Sequence, residues 1–144
     1  MKQVFYAIAL MLGIAAFGDQ SVELGDYTVH YSVIPSTLIP KETAERHKIV
    51  RGKNRALCNI TVVDSEGKPY EAEVTGEFKN LMGQTIKLKF KTIKESDAVY
   101  SLSSFKFTDG ENLKFEVEVK LPDGKESLKF EQKVYSNLED PVEK

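Results

Sequence analysis

His30, His47 and Cys58 are the only histidines and the only thiol in this sequence. Imidazole and thiolate groups bind transition metals and serve as bases or nucleophiles, so these three residues limit the catalysis or metal binding that can be considered. Their spacing contains neither a C-x-x-C nor an H-x-x-x-H pattern. No Ser-His-acid constellation, glycine-rich phosphate loop or paired-carboxylate motif can be singled out either. We therefore predict no catalytic residue, no metal site and no cofactor.

Cys58 lies in strand phase with Ile60 and Val62 inside an apolar run. An apolar setting raises the pKa of a thiol and leaves it inert, so we interpret Cys58 as a small core residue. The alternative is that His30, His47 and Cys58 meet in a cleft and make a metal or enzymatic site. The geometry of these three side chains decides between the two hypotheses.

A basic segment precedes this apolar run and is the one place where the sequence favours recognition. Gly52 and Asn54 indicate an exposed loop. The guanidinium group of arginine can donate two parallel hydrogen bonds to a carboxylate or phosphate. The loop could therefore bind a carboxylate, a phosphate or an acidic protein surface. The alternative is that its arginines bond to neighbouring strands and only hold the loop in place. The five basic residues proposed as a binding site are Arg46, Lys48, Arg51, Lys53 and Arg55.

Residues 1–18 have the pattern of a secretory signal peptide. Lys2 precedes an apolar run from Val4 to Phe17, and Ala16 and Gly18 supply the small residues of a cleavage site. We predict cleavage after Gly18, which leaves one domain at 19–136 and a flexible tail at 137–144. The run is too short to favour a membrane span, although an uncleaved anchor is the alternative.

The charge of the chain is mixed in sign and close to balance. Twenty Lys and Arg stand against 22 Asp and Glu, a formal net charge of −2. Such a surface gives no reason to propose nucleic acid as a partner. A single cysteine also excludes an internal disulfide.

The elements that would position these residues are mostly strands. Alternating or continuous apolar patterns predict strands, and Pro40 suits the start of a short helix through Ala44 and His47. Residues 19–25 are polar and are predicted to be loose. The predicted strands are 27–33, 56–63, 70–79, 84–92, 99–107, 113–121 and 128–134.

Two hairpins have predicted registers. With Gly83 in the left-handed conformation of a three-residue loop, Lys87 is expected opposite Glu77 and Lys91 opposite Glu73. The Lys87, Lys89 and Lys91 row is then interpreted as a solvated face. In the second hairpin, Asp123 and Gly124 at the tip would bring Val119 over Leu128 and Val117 over Phe130.

About seven strands and one short helical insert predict an all-β, immunoglobulin- or fibronectin-like antiparallel sandwich. The strands at 27–33, 56–63 and 99–107 are expected in one sheet and the other four in the second. A small closed barrel is the alternative.

Several short motifs, taken together, resemble the domain of unknown function 4426 family. They are Gly25-Asp26-Tyr27, Val29-His30-Tyr31, Ser36-Thr37 with Pro40, the Arg51-to-Arg55 segment, Gly67-Lys68-Pro69, Asn80-Leu81-x-Gly83-Gln84 and Phe130-x-Gln132. The resemblance implies a small exported protein of Gram-negative bacteria with an immunoglobulin-like sandwich and a periplasmic location. The family has no established activity, so no residue inherits a role. We expect a non-enzymatic binding module of the cell envelope, without a nucleic-acid partner.

Overall fold

The computed structural model describes residues 20–136. The predicted signal peptide, its cleavage site and the predicted C-terminal tail lie outside the described residues. Within that range a 3-10 turn at Ser36–Leu38 and helix α1 (Lys41–Arg46) lie between the second and third strands. The strands are β1 (Gln20–Leu24), β2 (Tyr27–Pro35), β3 (Arg55–Val63), β4 (Glu73–Lys79), β5 (Thr85–Leu88), β6 (Lys91–Glu95), β7 (Ala98–Lys106), β8 (Glu111–Leu121) and β9 (Gly124–Val134).

These strands form two antiparallel sheets. One has the order β1-β2-β3-β7-β6 and the other the order β5-β4-β8-β9. The predicted two-sheet sandwich is confirmed, and six of the seven predicted strands lie in the sheet predicted for them. The closed-barrel alternative is wrong. No helix in residues 20–136 is long and apolar enough to cross a bilayer.

The main core lies between the two sheets. In β8 the apolar side chains alternate strictly with exposed charges, so Phe115 and Val117 point inward. Phe78, Phe105 and Phe115 pack with ring centroids 4.8–5.7 Å apart. Such aromatic contacts contribute beyond the area they bury.

A second, smaller core lies on the outer face of the five-stranded sheet. Strand β3 is buried on both faces from Ala56 to Val63, as its continuous apolar run predicts. Its outward side chains contact the segment that contains α1. The second core comprises Ile34, Ile39, Ala44, Leu57, Val63, Ile93, Ala98, Tyr100 and Leu102.

The predicted strand 84–92 is two strands in different sheets. Its first half is right: Gly83 has φ +80°, Asn80 N–H bonds to Gln84 O at 3.0 Å, and Glu77 pairs with Lys87. The pairing with β4 stops at Leu88, however. From Lys91 the chain pairs with β7 in the other sheet, so the predicted Lys91–Glu73 pair is wrong.

The register predicted for the second hairpin is also wrong, by two residues. Leu121 pairs with Gly124, Val117 with Leu128 and Phe115 with Phe130. The two-residue tip is therefore Pro122-Asp123, where the fixed φ of proline suits the second position of a turn and glycine the fourth. The shift also places opposite charges in register, since Glu116 pairs with Lys129 and Lys114 with Glu131.

Strand β1 was predicted as a loose segment. It pairs with β2 over its whole length, and Val22 and Leu24 pack against the main core. Two apolar residues separated by one polar residue are too short a pattern to predict an edge strand. The turn to β2 uses Gly25 at φ +67°.

Candidate functional site

His30, His47 and Cys58 lie on different elements and do not form one site. His30 lies on the outer face of β2, Cys58 faces the main core from β3, and His47 follows the end of α1. Cys58 is fully buried, and burial raises the pKa of its thiol to about 12. Among residues 20–136 there is no group of three His, Cys, Asp or Glu side chains that could hold a metal ion. The predicted core role of Cys58 is confirmed.

The basic loop is anchored to the turn that precedes α1. Ser36 is fully buried; its Oγ donates to Gly52 O at 3.0 Å and accepts from Gly52 N–H at 2.9 Å. Arg51 donates to Thr37 O at 2.9 Å. The end of the loop is held as well, because Phe107 N–H donates to Asn54 O. The loop therefore has a defined conformation beside β3.

A second set of contacts connects the start of the loop to β6. His47 Nε2 lies 3.0 Å from Glu95 Oε1, and Arg46 Nε lies 3.6 Å from Glu95 Oε2. Lys91 Nζ donates to His47 O at 2.7 Å. These contacts hold the loop against the edge strand of the sheet, and they account for the charge of Arg46.

Between the loop and the sheet lies a groove of about 240 Å³, which we call the cationic groove. Its walls come from the basic loop, the connection between β5 and β6, and strands β3, β6 and β7. It is lined by Lys48, Ile49, Val50, Arg55, Leu57, Lys89, Lys91, Ile93, Leu102 and Ser104.

The charges of the cationic groove are of one sign. Lys48, Arg55, Lys89 and Lys91 line it, and none of the described residues along its walls is acidic. Arg55 also pairs across strands with Lys106, so another cation lies beside the groove. Directly opposed like charges in a sheet are unfavourable, and an anion between them would relieve that repulsion.

Arg55 is the least exposed of these cations. Its Nε is buried and has no hydrogen-bond partner among the described residues. A Cβ at Gly52 would lie 3.4 Å from the Cγ and Cδ of Arg55, so the glycine lets the loop close against the arginine stem. A buried donor without an acceptor is costly, which makes Arg55 a natural ligand for an anionic oxygen.

A larger cleft of about 450 Å³ lies on the outer face of the four-stranded sheet. Its cations and carboxylates alternate: Glu116 pairs with Lys129 and Lys114 with Glu131. Across β4 and β8, Glu77 is opposite Glu116 and Lys79 is opposite Lys114, so the cleft carries charges of both signs side by side. We regard the smaller cationic groove as the better candidate site.

The structure separates the five basic residues proposed from sequence into three groups. Lys48 and Arg55 line the cationic groove. Arg46 contacts Glu95 and Arg51 contacts Thr37, so both hold the loop in place. Lys53 is exposed and lies outside the groove lining.

Sequence reasoning missed Lys89 and Lys91. Both belong to the row that was interpreted as a solvated face, and that interpretation holds for Lys87, which pairs with Glu77. The signal available in the sequence was that Lys89 and Lys91 have no acidic residue among their neighbours at 87–92. The change of sheet after Leu88 carries both lysines to the basic loop.

Two antiparallel sheets packed face to face define the class of this protein as a β-sandwich domain. Within that class, the chain belongs to the DUF4426 family of domains of unknown function, whose model matches residues 21–137. The family predicted from the sequence motifs is thereby confirmed.

The chain is similar to a DUF4426 family protein from Pseudomonas aeruginosa PAO1, whose crystal structure matches with a TM-score of 0.76 and 31% identity. That match covers 83% of this chain and 97% of the other. No curated protein sequence matches the chain.

Two structures of FetP from uropathogenic Escherichia coli strain F11 share the fold at 13% identity. A copper-bound variant matches with a TM-score of 0.59, over 82% of this chain and 95% of that one. FetP as isolated, after expression in the periplasm, matches with a TM-score of 0.58, over 82% and 94% of the two chains. At this identity the likeness concerns the fold alone.

Proposed function

We propose that this protein is a non-enzymatic, periplasmic binding module whose cationic groove holds an anionic group of its ligand. The observation that carries the proposal is the convergence of Lys48, Arg55, Lys89 and Lys91 on one groove without an acidic residue among its described lining. Two of these residues come from the loop and two from the β5–β6 connection and β6. Charge-assisted hydrogen bonds from such a set suit a carboxylate or phosphate.

The periplasmic part of the proposal rests on the signal-like N-terminal pattern of residues 1–18. A periplasmically expressed relative of the same fold, FetP, agrees with it. Cell fractionation and mass spectrometry of the exported protein test this part. The expected product begins at Asp19, and a chain that still begins at Met1 or stays in the cytoplasm would contradict it.

FetP binds copper in one of the two structures, but the described residues give no support for carrying a metal role to this chain. His30, His47 and Cys58 face different parts of the molecule, and none of the described residues completes a ligand group around them. Within residues 20–136, the three side chains on which the metal or enzymatic alternative depends therefore do not converge.

Titration calorimetry with inorganic phosphate tests the groove. We compare the wild type with Lys48→Ala/Lys89→Ala, because both side chains are exposed groove residues whose loss should not affect the core. The matched control, Lys125→Ala/Lys133→Ala, removes the same charge from β9. The groove variant should lose about tenfold or more in affinity, because each hydrogen bond to a charged group contributes about 1.5–3 kcal/mol.

Wild-type binding should also weaken with added salt, since the groove is open to solvent. Melting temperatures of both variants should stay near that of the wild type. If the β9 control loses as much affinity as the groove variant, phosphate binding depends only on the total charge of the protein. Absence of saturable binding by the wild type would reject the proposal.

A further inference from the structure

The floor of the cationic groove is aliphatic. Leu57, Ile93 and Leu102 are 1%, 4% and 4% exposed, respectively, and belong to the second core. All three line the groove together with the four cations. A site for a bare, strongly hydrated anion has no need of an aliphatic floor, because its ligand offers no apolar surface to bury.

The rim adds more apolar surface. Val50 lies beside half-buried Ile49 and is 59% exposed, and both line the groove. The stems of Lys89 and Lys91 extend the walls, since lysine covers apolar surface with its methylenes while its ammonium group stays in water. An aliphatic chain lying in the groove would cover Val50 and leave the ammonium groups at its mouth.

The chemistry of the lining narrows the class of ligand. None of the described lining residues is aromatic, so there is no platform on which a nucleobase or sugar ring could stack. The hydroxyl of Ser104 and the cations are the polar side-chain groups of the described lining. A polyhydroxylated ligand would need several paired donors and acceptors, which this lining does not supply.

We infer that the ligand is an amphiphilic anion, with a carboxylate or phosphate head at the cations and a short aliphatic chain on the floor. The inference rests on the proposed function and names its ligand class. The volume of about 240 Å³ equals that of about eight liquid waters, so it fits a short, freely diffusing amphiphile and not a complete membrane lipid.

A chain-length series tests the inference. Butanoate, hexanoate and octanoate are titrated into the full-length exported protein, with inorganic phosphate as the probe without a chain. Affinity should rise about fourfold for each methylene that enters the groove, which corresponds to about 0.8 kcal/mol per buried CH₂. Phosphate and butanoate should bind more weakly than octanoate.

The Val50→Ser variant tests the contribution of the apolar surface of the groove separately from that of its charges. Because Val50 is exposed, the substitution should leave folding unchanged while it reduces the gain in affinity per methylene. Leu81→Ser is the matched control, since Leu81 is 72% exposed at the tip of the β4–β5 hairpin, outside the groove. The control should keep the full chain-length dependence.

The outcomes separate the two proposals. If phosphate binds in the groove but affinity does not change with chain length, the anion site stands and the amphiphile inference is overturned. If the chain-length dependence is the same in the wild type and in Val50→Ser, the chain does not lie on this floor and the inference also fails. If the protein cosediments with phosphatidylglycerol vesicles but does not bind octanoate, the groove binds a membrane surface. The inference of a freely diffusing ligand is then overturned. Failure of every anion to bind would reject both proposals.

Discussion

The outer faces of the two sheets use many of the same residue types but differ in what covers them. On the four-stranded sheet, β8 presents Lys114, Glu116, Glu118 and Lys120 to solvent, and no described helix packs over them. On the five-stranded sheet, the segment with α1 covers the outer face and makes a second core. Where that cover ends, buried aliphatic side chains and four cations line the cationic groove. A groove with cations of one sign thus lies at the border of a covered sheet face.

The comparison also explains the charge distribution. Pairs such as Glu77–Lys87 and Glu116–Lys129 compensate charge across neighbouring strands of the four-stranded sheet. Within residues 20–136, the carboxylate that contacts the basic loop is that of Glu95, which lies beside Arg46 and His47. The described lining of the cationic groove therefore keeps one sign of charge.

The largest expected effect tests the difference in burial between β8 and β3. Phe115→Ala should cost about 3–5 kcal/mol of unfolding free energy, whereas neighbouring Glu116→Ala should change it by less than about 0.5 kcal/mol. In β3, Leu57→Ala and Ile60→Ala face opposite sides, yet each should cost about 2–5 kcal/mol because both faces are buried. Urea denaturation measures all four. If Leu57→Ala leaves the unfolding free energy nearly unchanged, the second core adds little stability.

Gly76 tests how closely the strands of the four-stranded sheet approach each other. A Cβ at this position would lie 3.0 Å from Glu116 O and 3.1 Å from Val117 Cγ2. Gly76→Ala should therefore cost about 1–3 kcal/mol through overpacking against backbone that cannot move aside. Thr75→Ala, at the exposed neighbouring position, is the control and should be nearly neutral. A Gly76→Ala variant as stable as the wild type would show that β4 and β8 can separate without loss.

Ser36 tests whether the cover of the five-stranded sheet positions the groove. Ser36→Ala removes both hydrogen bonds to Gly52 and leaves part-buried backbone groups without partners, which should cost about 1–3 kcal/mol. Phosphate affinity should fall too, because Arg55 N–H bonds to Gly52 O in the same loop. Thr37→Ala is the control, since the carbonyl and not the side chain of Thr37 accepts from Arg51. If Ser36→Ala binds phosphate as tightly as the wild type, the hydrogen bonds that anchor the loop do not position the groove.

Cys58 provides the smallest effect and reports on the main core. Burial holds the pKa of its thiol at about 12, above the ordinary value of 9.0, so the unfolded chain loses the proton first as pH rises. The stabilisation is complete below the unfolded pKa and declines from there towards the folded pKa. Stability should thus fall more in the wild type than in Cys58→Ala between neutral pH and about pH 10. Native protein should resist iodoacetamide at the same pH, and rapid labelling would contradict the buried position.

Periodicity predicted most of the fold because the side chains of a strand alternate between two environments. The strict alternation of β8 and the continuous apolar run of β3 correctly indicate one buried face and two. The alternation of Ile86, Leu88 and Phe90 continues past Leu88, where the pairing with β4 ends, and its phase changes only between Phe90 and Ile93. Since alternation reports which face is buried and not which strand is the neighbour, the break at Leu88 could not be predicted from it.

The candidate site was predicted in part. The charge run identified Lys48 and Arg55, because five cations without an acidic residue between them are visible in the sequence. Lys89 and Lys91 were assigned to a solvated row because their strand was assumed to continue in one sheet. The hydrogen bonds of Arg51 and the contact of Arg46 with Glu95 also depend on chain segments that are distant in sequence.

The sequence by itself determined the all-β class, the two-sheet arrangement, the core position of Cys58 and the basic character of one loop, because these follow from local patterns of polarity. The tertiary structure alone decided which cations share a groove, what lies beneath them and which are already bonded. Those facts depend on where a strand changes sheets and on what the segment around α1 covers. Both are set by packing between elements far apart in the chain, and local pattern does not encode that packing.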